Sequence, residues 1–191
     1  WGPPSSWNPF MQGNYATGVI GLCYETLFMY DPLADEYIPW LAESGEWTSD
    51  NVYELVVRDG ITWSDGEPFT AEDVKFTFEL GQTAALGISP MWDWLDSIEV
   101  DGSTVIFTFN QEWGYYLYSN AIVPQHLLAD KTPDEVATGA NENPVGTGPY
   151  LYESHDQDRM VWVKNENWWG TEALGLDMKP TRIVDIVNSG N

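Results

Sequence analysis

Between Ile98 and Phe109 two runs of alternating apolar residues flank Asp101-Gly102, and no other stretch constrains the fold as tightly. Side chains along a strand point to opposite faces in turn. Val105, Phe107 and Phe109 therefore share one face, and Thr104, Ile106 and Thr108 the other. Asp-Gly suits the positive φ angles of a tight turn, so the two runs are expected to pair as a hairpin.

The rest of the chain mixes strand and helix signals. Thr17–Tyr30 has apolar residues at Ile20, Tyr24, Leu27 and Phe28, a spacing that predicts a helix, with Asp31-Pro32 as its stop. Val52–Arg58 is rich in β-branched residues and reads as a strand, followed by turn chemistry at Asp59-Gly60 and Ser64-Asp65-Gly66. Thr70-Ala71-Glu72-Asp73 is an acidic variant of the capping box and launches a helix carrying Val74 and Phe78 on one face, with Gly81 and Gly87 bracketing its end. A helical patch spans Gln125–Ala129. Thr132-Pro133-Asp134-Glu135 is a second capping box with Pro at the first helical position. Tyr150–Glu153 and Arg159–Lys164 read as paired strands, and Ile183–Val187 as a buried one. The fold class that follows is α+β or mixed α/β, not an all-β sandwich.

Composition narrows the function. Thirty acidic residues against seven Lys and Arg give a net charge of −23. Such a surface repels phosphates and anionic lipid heads, which argues against nucleic acid, and its self-repulsion favours a monomer. The lone Cys23 excludes an intramolecular disulfide and sits in an apolar run, as a buried small hydrophobe does. No run of 18 apolar residues exists, so no membrane span is expected. The start at Trp1-Gly2-Pro3-Pro4 reads as that of a processed or trimmed chain. Two His and one Cys are too few for a tetrahedral zinc site, and Asp156-Gln157-Asp158 lacks the glycine and distal glutamate of a calcium loop. No phosphate loop occurs, and no cofactor is expected. Ser154-His155-Asp156 mimics a catalytic triad only by adjacency, whereas triads are assembled in space.

Several segments together resemble one family. Leu55-Val56-Val57-Arg58-Asp59-Gly60-Ile61-Thr62-Trp63-Ser64-Asp65-Gly66-Glu67-Pro68-Phe69-Thr70-Ala71-Glu72-Asp73-Val74 is similar to the signature block of extracellular solute-binding proteins of the dipeptide/oligopeptide/nickel type. Asn8-Pro9-Phe10, Ile122-Val123-Pro124-Gln125-His126-Leu127, Asn143-Pro144-Val145-Gly146-Thr147-Gly148-Pro149-Tyr150 and Asn165-Glu166-Asn167-Trp168-Trp169-Gly170 follow in the family's order. The resemblance implies a periplasmic-binding-protein-like type II fold of two lobes around a cleft. It also implies an extracytoplasmic protein, either in the periplasm or lipid-anchored on the outer face of the cell membrane in its full-length form, that serves an ABC permease in the membrane. At 191 residues this chain would supply most of the first lobe, with the second largely absent. Residues 1–30 with 145–191 would form the hinge-bearing subdomain and 31–144 a smaller inserted one. The block from Trp63 to Val74 reads as scaffold, and His126 as a packed or capping residue.

The solute is expected to be an oligosaccharide or an oligopeptide. With 11 Trp and few basic residues, the balance favours the sugar, since aromatic planes cover its C–H faces. The resemblance places Trp7, Asn8 and Phe10 near the cleft. Tyr15, Trp113, Tyr115, Tyr116 and Asn143 are further candidate contacts. Each aromatic equally fits packing between subdomains, and Asn143 equally fits shaping the turn before Pro144. The rivals from other classes are a glycoside hydrolase fragment, with an acid/base pair among the carboxylates, and a carbohydrate-binding module.

Overall fold

A computed structural model describes residues 6–11, 15–111, 115–157 and 159–186, with residues 115 and 116 described by their backbone alone. The expected hairpin forms as β5 (Leu95–Asp101) and β6 (Thr104–Phe109), paired in register from Asp101↔Thr104 to Ile98↔Phe107. It belongs to an antiparallel sheet of order β3-β4-β6-β5, completed by β3 (Ala42–Ser49) and β4 (Val52–Val57). Val105, Phe107 and Phe109 are fully buried, together with Tyr53, Leu55 and Val57 of β4. The alternation read from the sequence is thus the alternation of burial.

Helix α1 (Ala71–Thr83) covers this face, with Phe78 edge-on to Phe107 at 5.3 Å. It begins where expected. The Asp73 carboxylate reaches back to accept the Thr70 N–H at 2.9 Å. The helix ends at Thr83, between Gly81 and Gly87 as expected. Helices α2 (Tyr115–Ser119), α3 (Gln125–Leu128) and α4 (Pro133–Thr138) follow. In α4 the second capping box closes, with Thr132 N donating to Glu135 at 2.8 Å. His126 in α3 bonds Asp65 through Nε2 at 2.9 Å and packs edge-on to the buried Trp63. Partial burial pushes the Asp65 carboxyl up. The bond from His126 and those from nearby backbone N–H groups outweigh it and hold the group below its ordinary range. The Ser64-Asp65-Gly66 turn and α3 are therefore tied together, which is a scaffold role.

A second antiparallel sheet contains β7 (Tyr150–His155), β8 (Arg159–Lys164) and β9 (Arg182–Ile186), with α5 (Trp169–Ala173) between the last two. The expected β7–β8 pair is present. Strand β7 runs on through Ser154 and His155, two residues beyond the expected Tyr150–Glu153. Strand β9 corrects the buried reading of 183–187. Its side chains alternate between exposed and half-buried, with Ile186 71% exposed, and Val187 lies outside the described residues.

The expected helix over 17–30 is also corrected. Only a π-helical turn, Val19–Cys23, forms, and it is broken by extended Ile20 and by Gly21 at φ 98°. Gly18 at φ 87° adopts the same left-handed region, which an L-residue rarely enters. The chain then leaves as β1 (Phe28–Asp31), which pairs with β2 (Glu36–Pro39). Asp31-Pro32 is a hairpin turn, not a helix stop: Asp31 Oδ1 accepts the N–H of Leu33 at 2.8 Å. Apolar spacing of three and four was met here by a segment whose every turn packs on something different. Cys23 is buried as expected, and burial pushes its thiol well above the ordinary range.

Candidate functional site

The segment Ser6–Met11 is irregular, and its own side chains fix it. Asn8 Oδ1 accepts the N–H of Phe10 at 2.9 Å, a local Asx turn that suits Asn before Pro. Its Nδ2 donates to the carbonyls of Val136 at 2.7 Å and Gly139 at 3.0 Å, at the C-terminal end of α4. Helix ends leave such carbonyls without partners, so Asn8 serves as a cap supplied from 128 residues away. Asn8→Ala is expected to lower stability by roughly 2 kcal/mol, because two buried acceptors lose their donor. Urea denaturation checks this, and Asn8→Asp, which sets a carboxylate against the same carbonyls, is expected to fare no better.

The cap closes one side of a pocket of about 360 Å³. Asn8, Pro9 and Phe10 line it together with Leu128 of α3, Lys131 of the α3–α4 loop, Glu135 and Val136 of α4, and Asn141, Glu142 and Asn143 beyond that helix. Such a volume lies at the small end for ligand sites and holds part of a chain-like solute. Glu135 is already engaged by Thr132, whose backbone N–H is the first cause holding its carboxyl below the ordinary range. Asn141, at φ 52°, donates to the Tyr24 hydroxyl at 2.8 Å and to the Trp7 carbonyl at 3.3 Å, which fixes this part of the pocket lining.

Of the residues expected to touch a solute, Asn8, Phe10 and Asn143 meet in this pocket. Asn8 has its amide spent on the backbone, so it shapes the wall and offers little to a ligand. Trp7 is 4% exposed, with Tyr152 and His155 against its ring at 4.9 and 4.6 Å. It therefore supports the wall from behind, because a buried ring leaves a solute no face to contact. Tyr15 is exposed and outside the pocket lining. Trp113 lies outside the described residues, and Tyr115 and Tyr116 sit on α2 with only their backbone described.

A buried carboxylate escaped sequence reasoning. Glu25 is 3% exposed and accepts three indole N–H groups: Trp40 at 2.8 Å and Trp168 at 3.2 Å on Oε1, and Trp169 at 2.8 Å on Oε2. The Arg58 guanidinium lies 5.6 Å from the centre of the Trp169 ring and donates to the Trp40 carbonyl at 2.9 Å. Burial drives the Glu25 carboxyl up from 4.5 to about 7, against the indole bonds that pull it down. The signal available was a lone acid inside the apolar run Val19–Phe28. Buried, with both oxygens accepting indole N–H groups, Glu25 is unsuited to act as the acid or base of a glycosidase. Among the described residues no group of three His, Cys, Asp or Glu converges as a metal site, and no helix is long and apolar enough to cross a membrane.

Comparison with known proteins agrees with this architecture. The model of bacterial extracellular solute-binding proteins, family 5 (middle region), matches residues 36–184. The chain belongs to this family. A crystal structure of the periplasmic oligopeptide-binding protein of an oligopeptide ABC transporter from Thermotoga maritima superposes with TM-score 0.94 at 52% identity, covering 98% of this chain and 36% of that one. A second structure of that protein, with mannohexaose bound, gives TM-score 0.93 at the same identity and coverage. The peptidoglycan-binding protein YepA of Agrobacterium fabrum is 30% identical over 192 residues, which cover 89% of this chain and 30% of that protein. This family 5 chain thus spans between 28% and 36% of the length of such relatives. The mixed α/β fold is the periplasmic-binding-protein-like one, in the portion that makes up the first lobe.

Proposed function

We propose that this chain is the first-lobe portion of the solute-binding component of an ABC importer. It works outside the cytoplasm, delivers to a membrane-embedded permease, and holds a neutral oligosaccharide without altering it. The observation that carries this reading is the 360 Å³ pocket, whose lining combines apolar Phe10, Leu128 and Val136 with polar Glu142 and Asn143. Apolar surface facing a few polar groups matches a solute with C–H faces and hydroxyl edges. The likeness to a protein crystallised with mannohexaose supports the same solute class. That protein's description as oligopeptide-binding favours the second reading, a peptide. In this proposal residues 1–30 with 145–191 carry the hinge, 31–144 form the inserted subdomain, and Phe10, Asn143, Trp113, Tyr115, Tyr116 and Tyr15 supply solute contacts.

Calorimetric titration of the chain with mannohexaose and with mixed penta- and hexapeptides tests this. Saturable heat is expected with the sugar alone, together with recovery of intact hexaose. At a hundred times its dissociation constant the sugar should add about 2.7 kcal/mol of stability. Binding of peptides alone reverses the solute assignment, and appearance of shorter sugars removes the binder reading altogether.

A further inference from the structure

Among the described residues, ten large hydrophobic side chains are exposed, and five of them, Met29, Tyr30, Leu33, Tyr37 and Ile38, lie on the β1–β2 hairpin. Two strands alone are marginal in water, so this hairpin needs support from elsewhere. The support comes on one face. Tyr30 and Tyr37 are direct cross-strand partners, and Phe28 points the same way from two residues back. Phe28 is buried edge-on to Tyr118 of α2 at 5.1 Å, and Tyr37 stacks on Tyr118 at 4.5 Å and 24°. Tyr30 lies 5.3 Å from Tyr37 at 49°, and its hydroxyl donates to Asp35 Oδ1 at 2.7 Å. Both rings are held, yet Tyr30 is 48% and Tyr37 41% exposed.

We propose that the angled Tyr30–Tyr37 pair is a second contact surface for a neutral oligosaccharide, engaging sugar units beyond those in the pocket; this rests on the solute reading above. Rings already fixed in place cost little entropy when a ligand lands on them. Their apolar faces suit pyranose C–H groups, and the Asp35 carboxylate, which accepts the Tyr30 hydroxyl, stands beside them as an acceptor for sugar hydroxyls. None of the seven Lys and Arg residues lies on the hairpin or on α2, so an anionic partner, including a peptide's carboxylate end, is repelled. A second copy of the chain is disfavoured by the same argument, since each carries −23.

The test compares mannobiose with mannohexaose. Tyr30→Ala should weaken hexaose binding ~3- to 10-fold, as expected for one aromatic contact, and leave biose binding unchanged, while Tyr30→Phe should behave as wild type. In the chain labelled with 3-fluorotyrosine, the Tyr30 and Tyr37 signals, assigned by the Tyr30→Phe and Tyr37→Phe variants, should shift with hexaose and not with biose. Equal loss for both sugars, no loss for hexaose, or signals that respond only to tetramethylammonium each overturn the assignment; the last would make the pair a cation site. If the unmodified chain binds neither sugar, the solute reading falls and this inference with it. Hexaose binding that ignores Tyr30 overturns this inference alone.

Discussion

Glu25→Leu should cost roughly 4 kcal/mol of stability, because three buried indole N–H groups lose their acceptor and an apolar side chain of similar size keeps water from replacing it. Denaturant unfolding followed by tryptophan fluorescence measures this loss. Glu25→Gln isolates the charge. A group whose folded pKa is raised favours the protonated form in the fold, so its contribution is fully present below the unfolded value of 4.5 and is lost as pH rises through about 7. That interval corresponds to about 3 kcal/mol. Wild type should therefore lose about this much relative to Glu25→Gln between pH 4.5 and 8, then run parallel to it. A difference that stays flat with pH would show that folding does not raise the Glu25 pKa above its unfolded value.

The second large effect is expected at Gly146. A Cβ built there would stand 2.0 Å from the Cys23 carbonyl oxygen, and one at Gly148 would stand 2.2 Å from that of Leu22. Both obstacles are backbone, so neither can swing away. The N–H of Gly148 also donates to the Cys23 carbonyl at 2.8 Å, and the Gly146 carbonyl accepts the Ser64 N–H at 2.9 Å. Gly146→Ala must push residues 22–23 and 146–148 apart, break these bonds and shift Tyr24 and Glu25 next door. A loss of at least about 3 kcal/mol is expected, as for overpacking at a site that cannot relax. Differential scanning calorimetry checks it. Gly102→Ala serves as the contrast, since a Cβ there meets nothing within 4 Å and only the positive φ of a turn opposes it.

Legibility in this chain followed range of interaction. The capping boxes at Thr70 and Thr132 could be read because donor and acceptor lie three residues apart. The β5–β6 hairpin could be read because its turn and its alternation are contiguous. The stretch 17–30 misled because Ile20, Tyr24, Leu27 and Phe28 satisfy a helical period, while left-handed Gly18 and Gly21 serve contacts invisible in the local string. The Tyr30–Tyr37 pair was not legible because the helix expected over 17–30 ends at Tyr30 and no element is expected over 33–39, so nothing places the two rings in one strand register. Asn8 is expected from the sequence to contact the solute, yet its amide is directed at backbone carbonyls over a hundred residues on.

From its residues alone, the chain specified the strands and helices whose signals are local and a resemblance strong enough to name a family. Tertiary structure decided which side chains meet. It set Glu25 among indoles 15, 143 and 144 positions distant, and it closed a pocket from residues 8–10 and 123–143. The reason is that capping and turn energies depend on neighbours along the backbone, whereas burial, desolvation and steric exclusion depend on whatever the fold brings alongside.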